Sequence, residues 1–328
     1  MAAHALIFLR MIGAFCCSST LSFFFSRFQI RRERKKHIGQ YIKDDIVPTH
    51  QKKGKTPTMG GISMFLSCWI SAYLFIGKDI GNRKIIALFL ISLAFFLIGL
   101  TDDLLKIKFH NGKGLPAYVR FFSEIAVLFC VLLFLGYEQQ SRWQIHLNSS
   151  FGFHVGFFFL PLLILIVVGG ANAVNMTDGL DGLASGLSMM ACAPFLISAI
   201  HQKEYGIAFF LISMIGGCLG FLFYNFHPAK IFMGDCGSLP LGATLALSSF
   251  LLMNELLLAI SGALFVIETL SVILQVGSYQ LTHHRIFKMA PLHHHFEMKG
   301  VAEWKVVMAF YIVGFLFSIL ATIVGVMG

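Results

Sequence analysis

The chain has 328 residues, 57% hydrophobic and only 12% charged, with a formal net charge of +9 and a mean hydropathy of +0.77. Soluble globular proteins carry about 25% charged residues, so the composition excludes that class and points to a polytopic membrane protein. The positive excess is concentrated in "RRERKKH" (31–37), directly after an apolar segment; anionic lipid headgroups, not nucleic acid, are the fitting partner for such a run.

In chain order, apolar runs occupy about 6–28, 60–76, 85–100, 118–135, 157–170, 183–200, 206–224, 239–253, 256–276 and 306–326, most of them near the ~20 residues that cross a bilayer. The expected fold is therefore all-α: one integral-membrane domain over 1–328 with about ten transmembrane helices. The run at 157–170 is short, and the eighth and ninth are parted only by Asn254 and Glu255, which predicts a very tight hairpin. The first run contains Arg10 and is followed by no small-residue cleavage site, so it reads as a membrane helix and not a signal peptide.

Counting Arg27 and Arg120 at their edges, the loops after the first, third, fifth, seventh and ninth runs hold 19 of the 25 Lys and Arg residues. The positive-inside rule makes those loops cytoplasmic, and an even number of spans then leaves both termini outside. Six of the seven cysteines fall in apolar runs, and none forms a CxxC pair, so neither a disulfide framework nor a zinc site is expected.

The unusual polar clusters all fall in these five loops: "HQKKGKTPTMGG" (50–61), "TDDLLKIKFHNGKGL" (101–115), "NAVNMTDGLDG" (172–182), "NFHPAKIFMGDCGS" (225–238) and "KMAPLHHHFEMKG" (288–300). Five clusters on one side are most economically read as one composite site. Asp102 and Asp103 end an apolar run with Lys106 a helical turn on. They are either a solvated pair steadied by Lys106 or a base or nucleophile at the lipid surface, since adjacent carboxylates repel unless a cation or proton is shared.

Asn172, Asn175, Asp178 and Asp181 follow at three-residue steps; a helix there would present one polar stripe, and a glycine-loosened cap is the plainer reading. Asp235, a lone carboxylate in the glycine loop "MGDCGS", suits a Mg²⁺ ion that also holds phosphate oxygens, or simple turn chemistry. His293, His294 and His295 would point about 100° apart in a helix and could not all ligate one ion. Phosphate hydrogen bonding or a shaped loop fits them better. The lysines before "TPTMGG" offer either an anion site or a topology signal.

Together these motifs, in order along nearly the whole chain, resemble the phospho-N-acetylmuramoyl-pentapeptide transferases, a family of bacterial integral-membrane polyprenyl-phosphate phosphoglycosyl transferases. The resemblance implies ten transmembrane helices in the bacterial cytoplasmic (inner) membrane and a cytoplasmic active site. It implies transfer of phospho-MurNAc-pentapeptide from UDP-MurNAc-pentapeptide to undecaprenyl phosphate, giving lipid I and UMP, with Mg²⁺ as cofactor. It assigns catalytic roles to Asp102, Asp103, Asp178, Asp181, His293, His294 and His295, the metal to Asp235, and substrate contacts to Lys53, Thr58, Lys106, Asn172, Asn175, Asn225 and Phe232. Two residues depart from the pattern: Lys55 stands where glycine is common and Arg120 where lysine is usual, and Arg and Lys are not interchangeable at phosphate.

An aspartate could deprotonate the lipid phosphate for direct attack or first form a covalent phosphoryl intermediate; both remain open, as does a homodimer. A sibling N-acetylhexosamine-1-phosphate transferase is the nearest alternative, with "PLHHHFE" favouring the muramoyl enzyme. An ion or metal transporter is the remote one, because ionisable residues should then line mid-membrane, where only Glu124 and Glu268 sit clearly within runs.

Overall fold

The computed structural model describes residues 2–35, 56–109, 114–136, 144–148 and 151–326. Helices α1 (Ala2–Lys35), α2 (Gly61–Ile76), α3 (Arg83–Phe109) and α4 (Ala117–Leu135) lead to an antiparallel hairpin of β1 (Gln144–Asn148) and β2 (Phe151–His154). Then come α5 (Phe159–Thr177), α6 (Leu183–His201), α7 (Tyr205–Asn225), α8 (Asp235–Leu251), the short α9 (Glu255–Ser261), α10 (Ala263–Thr282), the short α11 (Leu292–Glu297) and α12 (Glu303–Val326). Among the described residues, 9 helices are long and apolar enough to cross a membrane. The chain is a multi-pass, helical membrane protein.

The remaining expected span is α8, which has 17 residues, all buried. It packs against α2, α3, α5 and α6 and forms the axis of the bundle. Three expectations change in detail. The short fifth run belongs to an apolar stretch from Gly156 to Thr177, 22 residues long. The tight hairpin after the eighth run is relieved by α9, and the ninth run is not one helix: it breaks at Gly262, so the span proper is Ala263–Thr282. The β1–β2 hairpin between α4 and α5 had no counterpart in the sequence reading; its strands are only 5 and 4 residues long.

Inside a bilayer, helices gain little from burying apolar surface against one another, so close packing of small residues carries much of the association. The backbone of α8 is approached in this way. A Cβ at Gly99 of α3 would lie 2.2 Å from Asp235 O and 2.7 Å from Cys236 N, and one at Gly61 of α2 would lie 2.3 Å from Gly237 N. Both neighbours can therefore touch the first turn of α8 only because they are glycine there. Gly99→Ala should force backbone apart, where overpacking costs about 1–3 kcal/mol. A clear drop in detergent melting temperature is expected, while Gly81→Ala, with nothing within 4 Å of its added carbon, should melt like the wild type.

Candidate active site

The five polar loops meet at one end of the bundle. Gly60 N–H donates to Phe232 O at 2.8 Å and Gly61 N–H to Met233 O at 2.9 Å, joining the first loop to the seventh. Asp103 joins the third loop to the seventh: its oxygens accept from Asp235 N at 3.2 Å and Cys236 N at 3.0 Å. Asn175 joins the fifth to the seventh, its amide donating to Asp235 Oδ1 and Ser238 Oγ, both at 2.9 Å. His293 brings in the ninth, its ring so close to Gly179 that a Cβ there would lie 2.3 Å from Nε2.

Asp235 is neither lone nor in a loop. It is the first residue of α8, after Gly234 at φ 74°, a left-handed conformation that glycine adopts without strain. Carboxylate oxygens of Asp102, Asp103 and Asp235 lie within 4.8 Å of one another. Lys106 Nζ sits 2.6 Å from Asp102 Oδ2 and 3.0 Å from Asp235 Oδ2, and Arg120 Nη1 is 3.3 Å from the same Asp235 oxygen. Leu115 N–H donates to Asp102 Oδ1 at 2.6 Å. With both Asp103 oxygens given to amides, the remaining carboxylates, Asp102 and Asp235, suit a divalent cation of the Mg²⁺ type, which takes one or two protein carboxylates and leaves room for phosphate oxygens and water.

The stripe of three-residue steps is helical only at Asn172 and Asn175. Helix α5 ends at Thr177, and Asp178 caps it at φ −76°, ψ 47°. Burial, and then the negative charges of Asp235, Asp103 and Asp181, hold the Asp178 carboxyl well above the usual carboxylate range. Asp181 lies beyond the helix end, and its carboxylate turns away from the three aspartates: Oδ2 meets His227 Nδ1 and accepts from Ala229 N–H, both at 3.0 Å. His227 Nδ1 also lies 3.4 Å from Glu303 Oε2. Asp181, His227 and Glu303 thus make a second polar cluster.

The histidines take different partners, although the rings of His293 and His294 lie 4.2 Å apart, centroid to centroid. His293 is fully buried, with Nδ1 3.2 Å from Glu268 Oε2. His294 Nδ1 is 2.8 Å from Glu297 Oε2, and His295 Nδ1 accepts from Lys288 N–H at 3.1 Å. Glu268, buried in α10, also accepts from the Leu292 and His293 amides at 2.6 and 3.1 Å and so caps α11. Asn225 is buried and spans the seventh loop, donating to Ile231 O at 3.0 Å and accepting from Ser185 Oγ at 3.1 Å. Thr58 is buried beside the strand-like pairing with Phe232, whose N–H donates to Pro57 O at 2.8 Å. Lys53 and Lys55 lie outside the described residues.

Arg120, Glu124, His227, Ser238 and Glu303 carry contacts that motif spacing did not single out. Two of them had a signal: Arg120, as a departure from the pattern of the transferases, and Glu124, as an acid inside an apolar run four residues later. Asp103 differs from Asp102 in bonding two α8 amides, and a hydrogen bond to a charged group contributes about 1.5–3 kcal/mol. Asp103→Asn should therefore lower the melting temperature in metal-free detergent more than Asp102→Asn does. Equal shifts would deny Asp103 its capping role.

Residues 85–253 match the family model described as Glycosyl transferase family 4. The phospho-N-acetylmuramoyl-pentapeptide-transferases of Bacillus thuringiensis (strain Al Hakam) and of Bacillus cereus strains AH187 and G9842 are each 41% identical to the chain over 295 residues, covering 89% of it and 91% of the relative. On both grounds, the three-carboxylate end of this helical bundle is that of a chain belonging to glycosyl transferase family 4 and related over nearly its whole length to those transferases.

Proposed function

We propose that the protein transfers phospho-MurNAc-pentapeptide from UDP-MurNAc-pentapeptide to undecaprenyl phosphate in the bacterial cytoplasmic membrane, forming lipid I for peptidoglycan and releasing UMP, with Mg²⁺ bound. The observation that carries this reading is the convergence of Asp102, Asp103 and Asp235 with Lys106 and Arg120, in a chain 41% identical to transferases of that name.

The reaction brings two phosphate anions together, and their repulsion must be offset before one attacks the other. Mg²⁺ held at Asp235 would supply Lewis acidity and charge neutralisation at the diphosphate. Among the described residues, Lys106 and Arg120, both already at Asp235, are cations able to turn toward phosphate oxygens. Both oxygens of Asp103 are engaged by α8 amides, which suits a scaffold. Asp102 has Oδ1 held by the Leu115 amide and Oδ2 by Lys106; unlike a backbone amide, the lysine can swing to a phosphate and free that oxygen to accept a proton from the acceptor. Asn175 fixes Asp235 through Oδ1, and the loop of Asp178 and Asp181, with His293 packed beneath Gly179, forms the donor side.

Purified protein in detergent should release UMP only when UDP-MurNAc-pentapeptide, undecaprenyl phosphate and Mg²⁺ are all present. Asp235→Asn, at nearly constant shape, should cut turnover by at least roughly tenfold, the value of one charged contact, with little rescue by excess Mg²⁺. Release from UDP-N-acetylglucosamine in place of the muramoyl donor would move the protein to the sibling class, and metal-independent turnover would remove Mg²⁺ from the reading.

The orientation in this proposal has the polar end facing the cytoplasm and both termini outside. In a cysteine-free background on intact cells, a membrane-impermeant thiol reagent should label a cysteine placed at exposed Lys78 and miss one at exposed Lys288 until the membrane is permeabilised. The reverse pattern would invert the topology.

A further inference from the structure

We propose that Glu124 is a positioning residue for the transfer reaction, acting through Asn172 and Arg120 to aim the Arg120 guanidinium at a substrate phosphate; this rests on the function proposed above. Glu124 is fully buried in α4, about one helical turn deeper than Arg120. An ionisable side chain at that depth is costly and persists where it has partners and a task.

Its partners form a directed chain. Asn172 Nδ2 donates to Glu124 Oε2 at 2.7 Å and to Val168 O at 2.9 Å, while Asn172 Oδ1 accepts from Arg120 Nη2 at 3.0 Å. A carboxylate and a backbone carbonyl only accept, so Glu124 together with Val168 O holds the Asn172 NH₂ inward and its oxygen toward Arg120. A flipped amide would set NH₂ against guanidinium, two donors face to face. Glu124 Oε1 also lies 3.8 Å from Arg120 Nε. Held by Asn172 at one nitrogen and by Glu124 along its stem, the guanidinium is delivered to Asp235 Oδ2 at 3.3 Å.

That oxygen is already shared with Lys106 at 3.0 Å, so Arg120 is the more weakly attached of two cations on one acceptor. A planar fork with donors to spare beside a phosphate-handling centre is suited to bidentate phosphate contact. The lysine usual at this position would engage an anion as a point charge and have less need of an aiming partner. The side chain of Arg120 is 24% exposed, on a helix whose Tyr118, Phe121 and Phe122 face outward. Either the lipid phosphate or the donor diphosphate offers the oxygens it would take.

The test is a double-mutant cycle in purified protein, with kcat and KM measured separately for UDP-MurNAc-pentapeptide and undecaprenyl phosphate. Glu124→Ala should raise KM for one of the two by roughly tenfold, as expected for a misplaced charged contact, and the substrate affected names the phosphate Arg120 serves. Glu124→Gln, which keeps an oxygen for Asn172, should recover part of the loss. Combined with Arg120→Ala, the Glu124→Ala change should add nothing, because its effect runs through that arginine. Additive effects, or unchanged KM for both substrates in protein that melts normally, would overturn the inference. If the wild type releases no UMP, the proposed reaction fails. The Glu124 inference is then decided by the rise in melting temperature with undecaprenyl phosphate or with UDP-MurNAc-pentapeptide: a shift in the wild type that Glu124→Ala and Arg120→Ala both abolish supports it, and no shift with either sinks it.

Discussion

The bond on which the site depends runs from the carboxylate of Asp103 on α3 to the first amides of α8. A helix N-terminus leaves its first N–H groups without partners inside the helix. Here that terminus is buried at the axis of the bundle, and its own cap residue is Gly234, which has no side chain to offer. Asp103 supplies the missing acceptor from another helix, and Gly99, one turn earlier, lets the two backbones come close enough. The register of α3 against α8 is thereby fixed, and with it the distances from Asp102 and Lys106 to Asp235. A negative charge also suits the positive end of the helix dipole. Helix capping and assembly of the three carboxylates are one event.

The charge balance around that contact explains what the site can bind. Five carboxyl groups, those of Asp102, Asp103, Glu124, Asp178 and Asp235, gather around two described cations, Lys106 and Arg120. Like charges so close cannot all stay ionised without further positive charge. Burial first, and then the neighbouring carboxylates, hold the Asp178 carboxyl well above its usual range. A divalent cation, as in the function proposed, would relieve that repulsion and draw phosphate oxygens in turn. The second cluster, Asp181 with His227 and Glu303, stands apart because α5 stops at Thr177 and the chain turns through Gly182 at φ 81°.

Much of this was legible in the sequence because hydropathy and polar outliers report directly on the bilayer. Charged residues at the ends of apolar runs announced one polar end, and "TDD", "NAVN" and "MGD" each gave a residue of the centre. What stayed hidden depends on contacts between helices. Nothing in the spacing shows that Asp103 caps α8 while Asp102 meets Lys106, since the two differ only in which way a helical step turns them. Asp178 and Asp181 share a three-residue step but part company where the helix ends, and a glycine-rich stretch gives no firm sign of where that is. The break at Gly262 was invisible because apolar residues continue on both sides of it. His227 and Glu303, 76 positions apart by number, become neighbours only through packing.

In the transfer proposed, two substrates of opposite habit would have to reach the same carboxylates, a soluble nucleotide conjugate and a lipid whose phosphate stays at headgroup depth. The two sides of the bundle differ in a way that would suit separate approaches. Loop five and the α11 histidines cover the polar side, where Gly179 admits His293 against the backbone. On the other side α4 turns Tyr118, Phe121 and Phe122 outward while Arg120 and Glu124 face Asn172. One turn of α4 thus carries apolar rings outside and a charged relay inside, which is the amphipathic division a helix makes at 3.6 residues per turn. A phosphate anchored in the membrane could enter along such a helix without its chain leaving hydrocarbon. With Asp235 at the start of the central helix, the reacting oxygens of the proposed transfer would come together where those two sides meet.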